Sequence, residues 1–122
     1  MKGIGAEIQR LVQAARCSMA GLRSAFSSEA AFRLEVLVSL PLIIVAIVVA
    51  DNALELAILL IALALVWITE LLNTAIETAV DRIGPESHLL SGKAKDIGSA
   101  AVFVASVVAG LVWLLVLTDG SG

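Results

Sequence analysis

Apolar residues are arranged along this chain in four blocks, each with helical spacing. In residues 6–27, Ile8, Leu11, Val12, Ala15, Met19, Leu22 and Phe26 stand at offsets of 0, 3, 4, 7, 11, 14 and 18, one narrow stripe of a helix. Arg10, Gln13, Ser24 and Ser27 fall on the opposite face, and Arg16 and Arg23 flank the stripe. Such a helix suits a membrane interface, apolar side in lipid and arginines among headgroups, or else a surface packed on a partner protein.

The other three blocks predict transmembrane helices. Residues 36–50 are uncharged but shorter than the roughly 20 residues a span requires, so the helix extends back to about residue 30, with Arg33 and Glu35 near its end. Pro41 is tolerable there, at the cost of a local bend. Asp51 and Asn52 mark a turn, and a second span over about residues 53–83 is stopped by Gly84 and Pro85. A polar loop then leads to a third helix over about residues 92–117, uncharged from residue 97.

Composition agrees with this all-α membrane architecture. In 122 residues, 60% are hydrophobic and 16% charged, more apolar surface than a soluble core of this size can bury. Lys2, Arg10, Arg16, Arg23 and Arg33 precede or open the first span, Arg82, Lys93 and Lys95 belong to the second loop, and the first loop and tail have no Lys or Arg. The positive-inside rule therefore puts the N-terminus and second loop in the cytoplasm and the Asp51 turn and C-terminus outside. No secretory signal is read at the start, and the net charge of −3 argues against a nucleic-acid partner. Cys17 is the one cysteine and cannot form an internal disulfide.

The second span carries the candidate chemistry. Glu70, Asn73, Glu77 and Asp81 stand at offsets of 0, 3, 7 and 11 and share one polar stripe. An acidic residue at the centre of a membrane helix costs about 2.5–3.5 kcal/mol, so the stripe is expected to face protein, water or a cation. It either serves a site or is neutralised by protonation or by Arg and Lys to hold helices together. At the same membrane face, Lys95, Asp96 and Ser99 are neighbours on the third span, where lysines and a helix start favour phosphate. Glu29 lies at that level before the first span. It either joins Glu77 as an oxygen ligand of magnesium or pairs with Arg33 at i, i+4. No GxxxxGK[ST] loop is present, and the single His88 and single Cys17 make a zinc or haem site improbable.

The segments EAAFRLE (29–35), ELLNTAIETAVDRIG (70–84) and SGKAKDIGSAAV (91–102), in this order in a chain of this length, resemble the prokaryotic integral-membrane diacylglycerol kinase family. The likeness is greater to the Gram-negative diacylglycerol kinases than to the shorter undecaprenol kinases of Gram-positive bacteria. It implies one membrane-embedded kinase domain over residues 1–122, forming a homotrimeric helix bundle in the bacterial inner membrane with active sites between protomers. The expected reaction is ATP- and Mg2+-dependent phosphorylation of diacylglycerol to phosphatidic acid, in lipid recycling. By the same resemblance Glu70 is the general base, and Glu29 and Glu77 hold the metal. Arg10, Glu29, Asn73, Glu77, Glu86, His88, Lys95 and Asp96 contact ATP, and Arg10, Glu70, Ser99 and Trp113 contact the lipid. Cys17, Phe26, Leu34 and Pro85 depart from the residues usual in the family. The alternatives are an undecaprenol kinase on the same fold, or a non-catalytic three-span pore lined by the carboxylates. A pore gives no reason for Glu29, Lys95 and Asp96 to gather at one face.

Overall fold

The computed structural model describes residues 2–84 and 88–119, and within them the chain forms four helices and no strand. They are α1 (Lys2–Ser28), α2 (Ala30–Val49), α3 (Ala53–Ile83) and α4 (Leu89–Thr118). Helix α2 continues through Pro41. Helix α4 starts about one turn earlier than the sequence pattern suggests, because His88 caps it, its Nδ1 accepting the Leu90 N–H at 3.0 Å.

A single extended residue, Glu29 (φ −112°, ψ 108°), separates α1 from α2. Helical hydrogen bonding nearly bridges the break: the Glu29 N–H donates to Ala25 O at 2.9 Å, and the Arg33 N–H to Glu29 O at 3.0 Å. The last carbonyls of α1 find a side-chain donor instead of a further turn of helix. Arg33 Nη1 donates to Phe26 O and Ser27 O, both at 2.9 Å. At the other end of α2 a short turn sends the chain back as α3. There Asn52 Oδ1 accepts the Glu55 N–H at 2.9 Å while Glu55 Oε1 accepts the Asp51 N–H at 3.1 Å, a reciprocal cap.

Helices α2, α3 and α4 are each long and apolar enough to cross a membrane, with mean hydropathies of 2.4, 2.3 and 2.7 over their most apolar stretches. Only 17, 17 and 11% of those stretches is buried within the chain, so most of the apolar surface is left for lipid or for other subunits. The chain is a membrane protein.

Helix α3 is central and packs most extensively on α4. Ala62 and Val66 of α3 meet Ala109 of α4, with Val112 and Trp113 against them. The small residues Gly98, Ala105 and Ala109 share one face of α4, are all buried, and let α3 approach. That face is thus used within the chain, while Ala101, Ser106 and Gly110 stay exposed. Polar bonds fix the register. Trp113 Nε1 donates to Leu59 O at 3.1 Å, and between α2 and α3 Trp67 Nε1 donates to Ser39 Oγ at 2.8 Å. Side-chain bonds between membrane helices contribute about 0.6 kcal/mol on average, so these two act more through direction than through energy.

Candidate functional site

Two polar side chains are buried among the described residues, Ser39 and Glu70. Glu70 is 9% exposed, on the α3 face that also carries Asn73 and Glu77. The charged groups acting on it are all carboxylates: Glu35 most strongly, then Glu77 and Glu29. Glu29 before α2, Glu35 at its start, and Glu70 and Glu77 in the second half of α3 therefore lie toward the same end of the bundle. The sequence pattern singles out Glu29, Glu70 and Glu77 but misses Glu35, which reads as an ordinary residue at the end of a span. Its phase was hidden because Glu29 and Glu35 are six residues apart and would diverge on one continuous helix. The break at Glu29 removes that constraint.

The break also decides between two uses of Arg33. The i, i+4 spacing allows a Glu29–Arg33 pair, but the guanidinium instead serves the α1 carbonyls of Phe26 and Ser27. The Glu29 side chain caps no N–H of α2. Its carboxylate is left available, half-buried, beside the others.

Further along α3, Asn73 Nδ2 donates to Glu77 Oε1 at 3.0 Å and fixes that carboxylate. Asn73 Oδ1 is buried with no hydrogen-bond partner and lies against Gly98, where any Cβ would overlap it. The glycine is what allows a carboxamide between α3 and α4 at this level. One turn on, Lys95 Nζ meets Asp81 Oδ1 at 2.7 Å, tying the start of α4 to the end of α3. Asp81 thereby leaves the acidic group that the stripe suggests, because register brings a lysine to it. Lys95 keeps 41% of its side chain exposed beside Glu77.

The remaining candidates are more dispersed. Asp96, with His88 and Lys93, lines an open cavity of about 850 Å³ at the start of α4. Ser99 is exposed on α4. Glu86, like Pro85, lies outside the described residues. Arg10 is exposed on α1 and pairs with Glu7 at 3.2 Å. Since α1 is one unbroken helix, Arg10 lies about 28 Å along it from the break at Glu29, beyond the reach of an arginine side chain. Trp113 bonds Leu59 O, and Leu59 precedes Glu70 by about 16 Å of α3. One chain therefore brings together Glu29, Glu35, Glu70, Asn73, Glu77 and Lys95, but not Arg10 or Trp113.

Among the described residues, no three His, Cys, Asp or Glu side chains converge closely enough to enclose a metal. The available donors are hard oxygens, with Glu77 held by Asn73 and Glu29 free of capping duty. That set suits magnesium, which binds through one or two carboxylates and takes its other ligands from phosphate and water.

The chain matches the family described as prokaryotic diacylglycerol kinase over residues 16–117. It is 46% identical over 113 residues to the diacylglycerol kinase of Escherichia coli K12, covering 93% of each chain. Identity is 43% over 106 residues to that of Haemophilus influenzae, covering 87% of this chain and 90% of the relative. To that of Pseudomonas aeruginosa it is 44% over 110 residues, covering 90% and 89%.

Proposed function

The chain belongs to the prokaryotic diacylglycerol kinase family, and we propose that its group of carboxylates transfers the γ-phosphoryl group of ATP to the primary hydroxyl of diacylglycerol, giving phosphatidic acid. The observation that carries this reading is Glu70: an acid 9% exposed, deep in an apolar helix, whose charged neighbours are other acids. Acids at this end of the bundle repel one another when ionised, which a bound cation relieves, and a base on this stripe serves a lipid hydroxyl near the interface.

Glu70 accepts the hydroxyl proton as the alkoxide oxygen bonds to the γ-phosphorus and the bond from that phosphorus to ADP breaks. Glu29 and Glu77 hold Mg2+ with the triphosphate, and Asn73 orients Glu77. Bound there, magnesium would neutralise part of the phosphate charge. Lys95, Asp96 and His88, with Glu86, form the nucleotide side, and Ser99 and Trp113 lie along the lipid.

Three spans that leave most of their apolar surface outward, and an Arg10 that cannot reach its own chain's Glu29, support sites completed between subunits of a homotrimer. Arg10 then serves the nucleotide and lipid of a neighbouring site. The excess of Lys and Arg before the first span and in the second loop supports an N-terminus in the cytoplasm and a C-terminus in the periplasm, across the bacterial inner membrane that the family likeness implies.

The test assays the unaltered protein, with Glu70→Gln alongside, on diacylglycerol and undecaprenol in mixed micelles with Mg2+ and ATP. Turnover of the variant on diacylglycerol is expected to fall by about 100-fold or more with little change in ATP binding, as for loss of a general base. Near-normal turnover of the variant removes the assigned role, and a strong preference of the unaltered protein for undecaprenol reassigns the substrate.

A further inference from the structure

One polar relay in the apolar contact between α2 and α3 has no part in the chemistry above. Trp67 Nε1 donates to Ser39 Oγ at 2.8 Å, and Ser39 Oγ donates to the Glu35 main-chain O at 2.7 Å. Ser39 is only 3% exposed, and the Trp67 ring stands edge-on to the buried Phe32 with centroids 6.0 Å apart. The indole is therefore fixed both by its N–H and by its ring.

The relay has a definite place relative to the acids. Glu35 precedes Ser39 by one turn of α2, and Glu70 follows Trp67 by nearly one turn of α3. Because α2 and α3 run in opposite directions, both steps lead to the same end of the bundle, by about 6 Å and about 4.5 Å. The Trp67–Ser39 bond thus levels Glu35 with Glu70. Apolar contacts alone would not do this, since dispersion has no direction and tolerates sliding of one helix on another.

We propose that Ser39 and Trp67 are positioning residues: their hydrogen bond sets the register of α2 against α3 and thereby holds Glu70, with Glu35 beside it, at the depth of the lipid hydroxyl. This rests on the assignment of Glu70 as the base. The nucleotide-facing groups Asn73, Glu77 and Lys95 belong to α3 and α4, whose mutual packing the relay does not touch. Glu29, at the start of α2, moves with that helix, so loss of the relay is felt first in the chemical step and more weakly, through Glu29 alone, in binding of Mg-ATP.

The experiment uses the full-length protein in mixed micelles, with Ser39→Ala, Trp67→Phe, the double variant and Glu70→Gln in parallel. Misplacing a reacting group by 1 Å can cost about 100-fold, and a partial slip is expected to lower kcat about tenfold in each single variant, with a smaller rise in KM for Mg-ATP through Glu29. The double variant should be no worse than the poorer single one, because both remove the same bond. The chain has two tryptophans, so its indole N–H spectrum reports the bond directly. Ser39→Ala should shift the resonance that Trp67→Phe deletes and leave that of Trp113 in place.

Wild-type kcat in Ser39→Ala or Trp67→Phe overturns the proposal, as does an unmoved indole resonance in Ser39→Ala. Additive losses accompanied by a rise in KM for Mg-ATP as large as the fall in kcat also overturn it, by showing general damage to packing. If Glu70→Gln turns over normally, it is the base assignment that fails. If Glu70→Gln is inactive while the relay variants keep full kcat, the positioning role alone is lost.

Discussion

Replacing Gly98 by alanine tests the geometry of the nucleotide side without touching an ionisable group. The added Cβ would overlap Asn73 Oδ1 and stand 3.4 Å from Asn73 Cγ and 3.6 Å from Ile76 Cδ1, so something must yield. Parting α3 from α4 means overpacking, at about 1–3 kcal/mol, and it strains the Ala105 and Ala109 contacts as well as the Trp113–Leu59 bond. Rotating the carboxamide is easier but sacrifices its bond to Glu77. A hydrogen bond to a charged group contributes about 1.5–3 kcal/mol, which converts to roughly 10- to 150-fold in binding. Removing a glycine from a helix interior returns about 0.8–1 kcal/mol of helix propensity, which offsets part of that loss in stability. The expected phenotype of Gly98→Ala is a KM for Mg-ATP raised about tenfold or more, with an unchanged KM for diacylglycerol and a near wild-type thermal melt. Steady-state ADP release in mixed micelles and a melt followed by circular dichroism read these. A wild-type KM for Mg-ATP, or a loss of activity explained wholly by a lower melting temperature, would refute the argument that Asn73 is the group that gives way.

Three further perturbations separate the parts of the site. Glu77→Gln removes one anionic oxygen set and should raise the Mg2+ concentration needed for half-maximal turnover about tenfold or more, seen by titrating Mg2+ at fixed ATP. Arg33→Ala leaves the Phe26 and Ser27 carbonyls without their donor. At about 1–2 kcal/mol for such a terminus, opening of the α1–α2 junction should increase about 5- to 30-fold, read as faster limited proteolysis near residue 29, with Arg33→Lys intermediate. Asp81→Asn breaks a pair whose side chains are 41 and 66% exposed, so the melting transition should hardly move. A loss exceeding about 1 kcal/mol in unfolding free energy would contradict the screened character of that contact.

The parts of this molecule visible in its sequence are those governed by one helix at a time. The spans show in the run of apolar residues, and the Glu70, Asn73, Glu77 stripe shows in its spacing, because a helix converts sequence offset into angle without outside help. What escaped depends on two helices at once. Ser39 and Trp67 look like tolerable polar interruptions until α2 is laid beside α3, and Lys95 looks free for phosphate until the register with α3 brings Asp81 to it. Arg33 was ambiguous for a local reason: the conformation of Glu29, which a spacing rule cannot supply, decides whether the guanidinium turns to a carboxylate or to the carbonyls of α1. Glu35 stayed unnoticed for the same reason.

Both indole N–H groups donate inside the bundle, one to a hydroxyl and one to a carbonyl, and the chain contains no tyrosine. Membrane proteins commonly settle at their proper height through tryptophans and tyrosines floating among glycerol esters and headgroups. This one has no such girdle to rest on, so its vertical placement falls to the charged ends of its spans: arginines and lysines that stretch or retract at one border, and the Asp51, Asn52 and Glu55 corner at the other. A thicker or thinner bilayer is therefore met by flexing long cationic side chains, and Glu70 and its neighbouring acids keep their mutual distances.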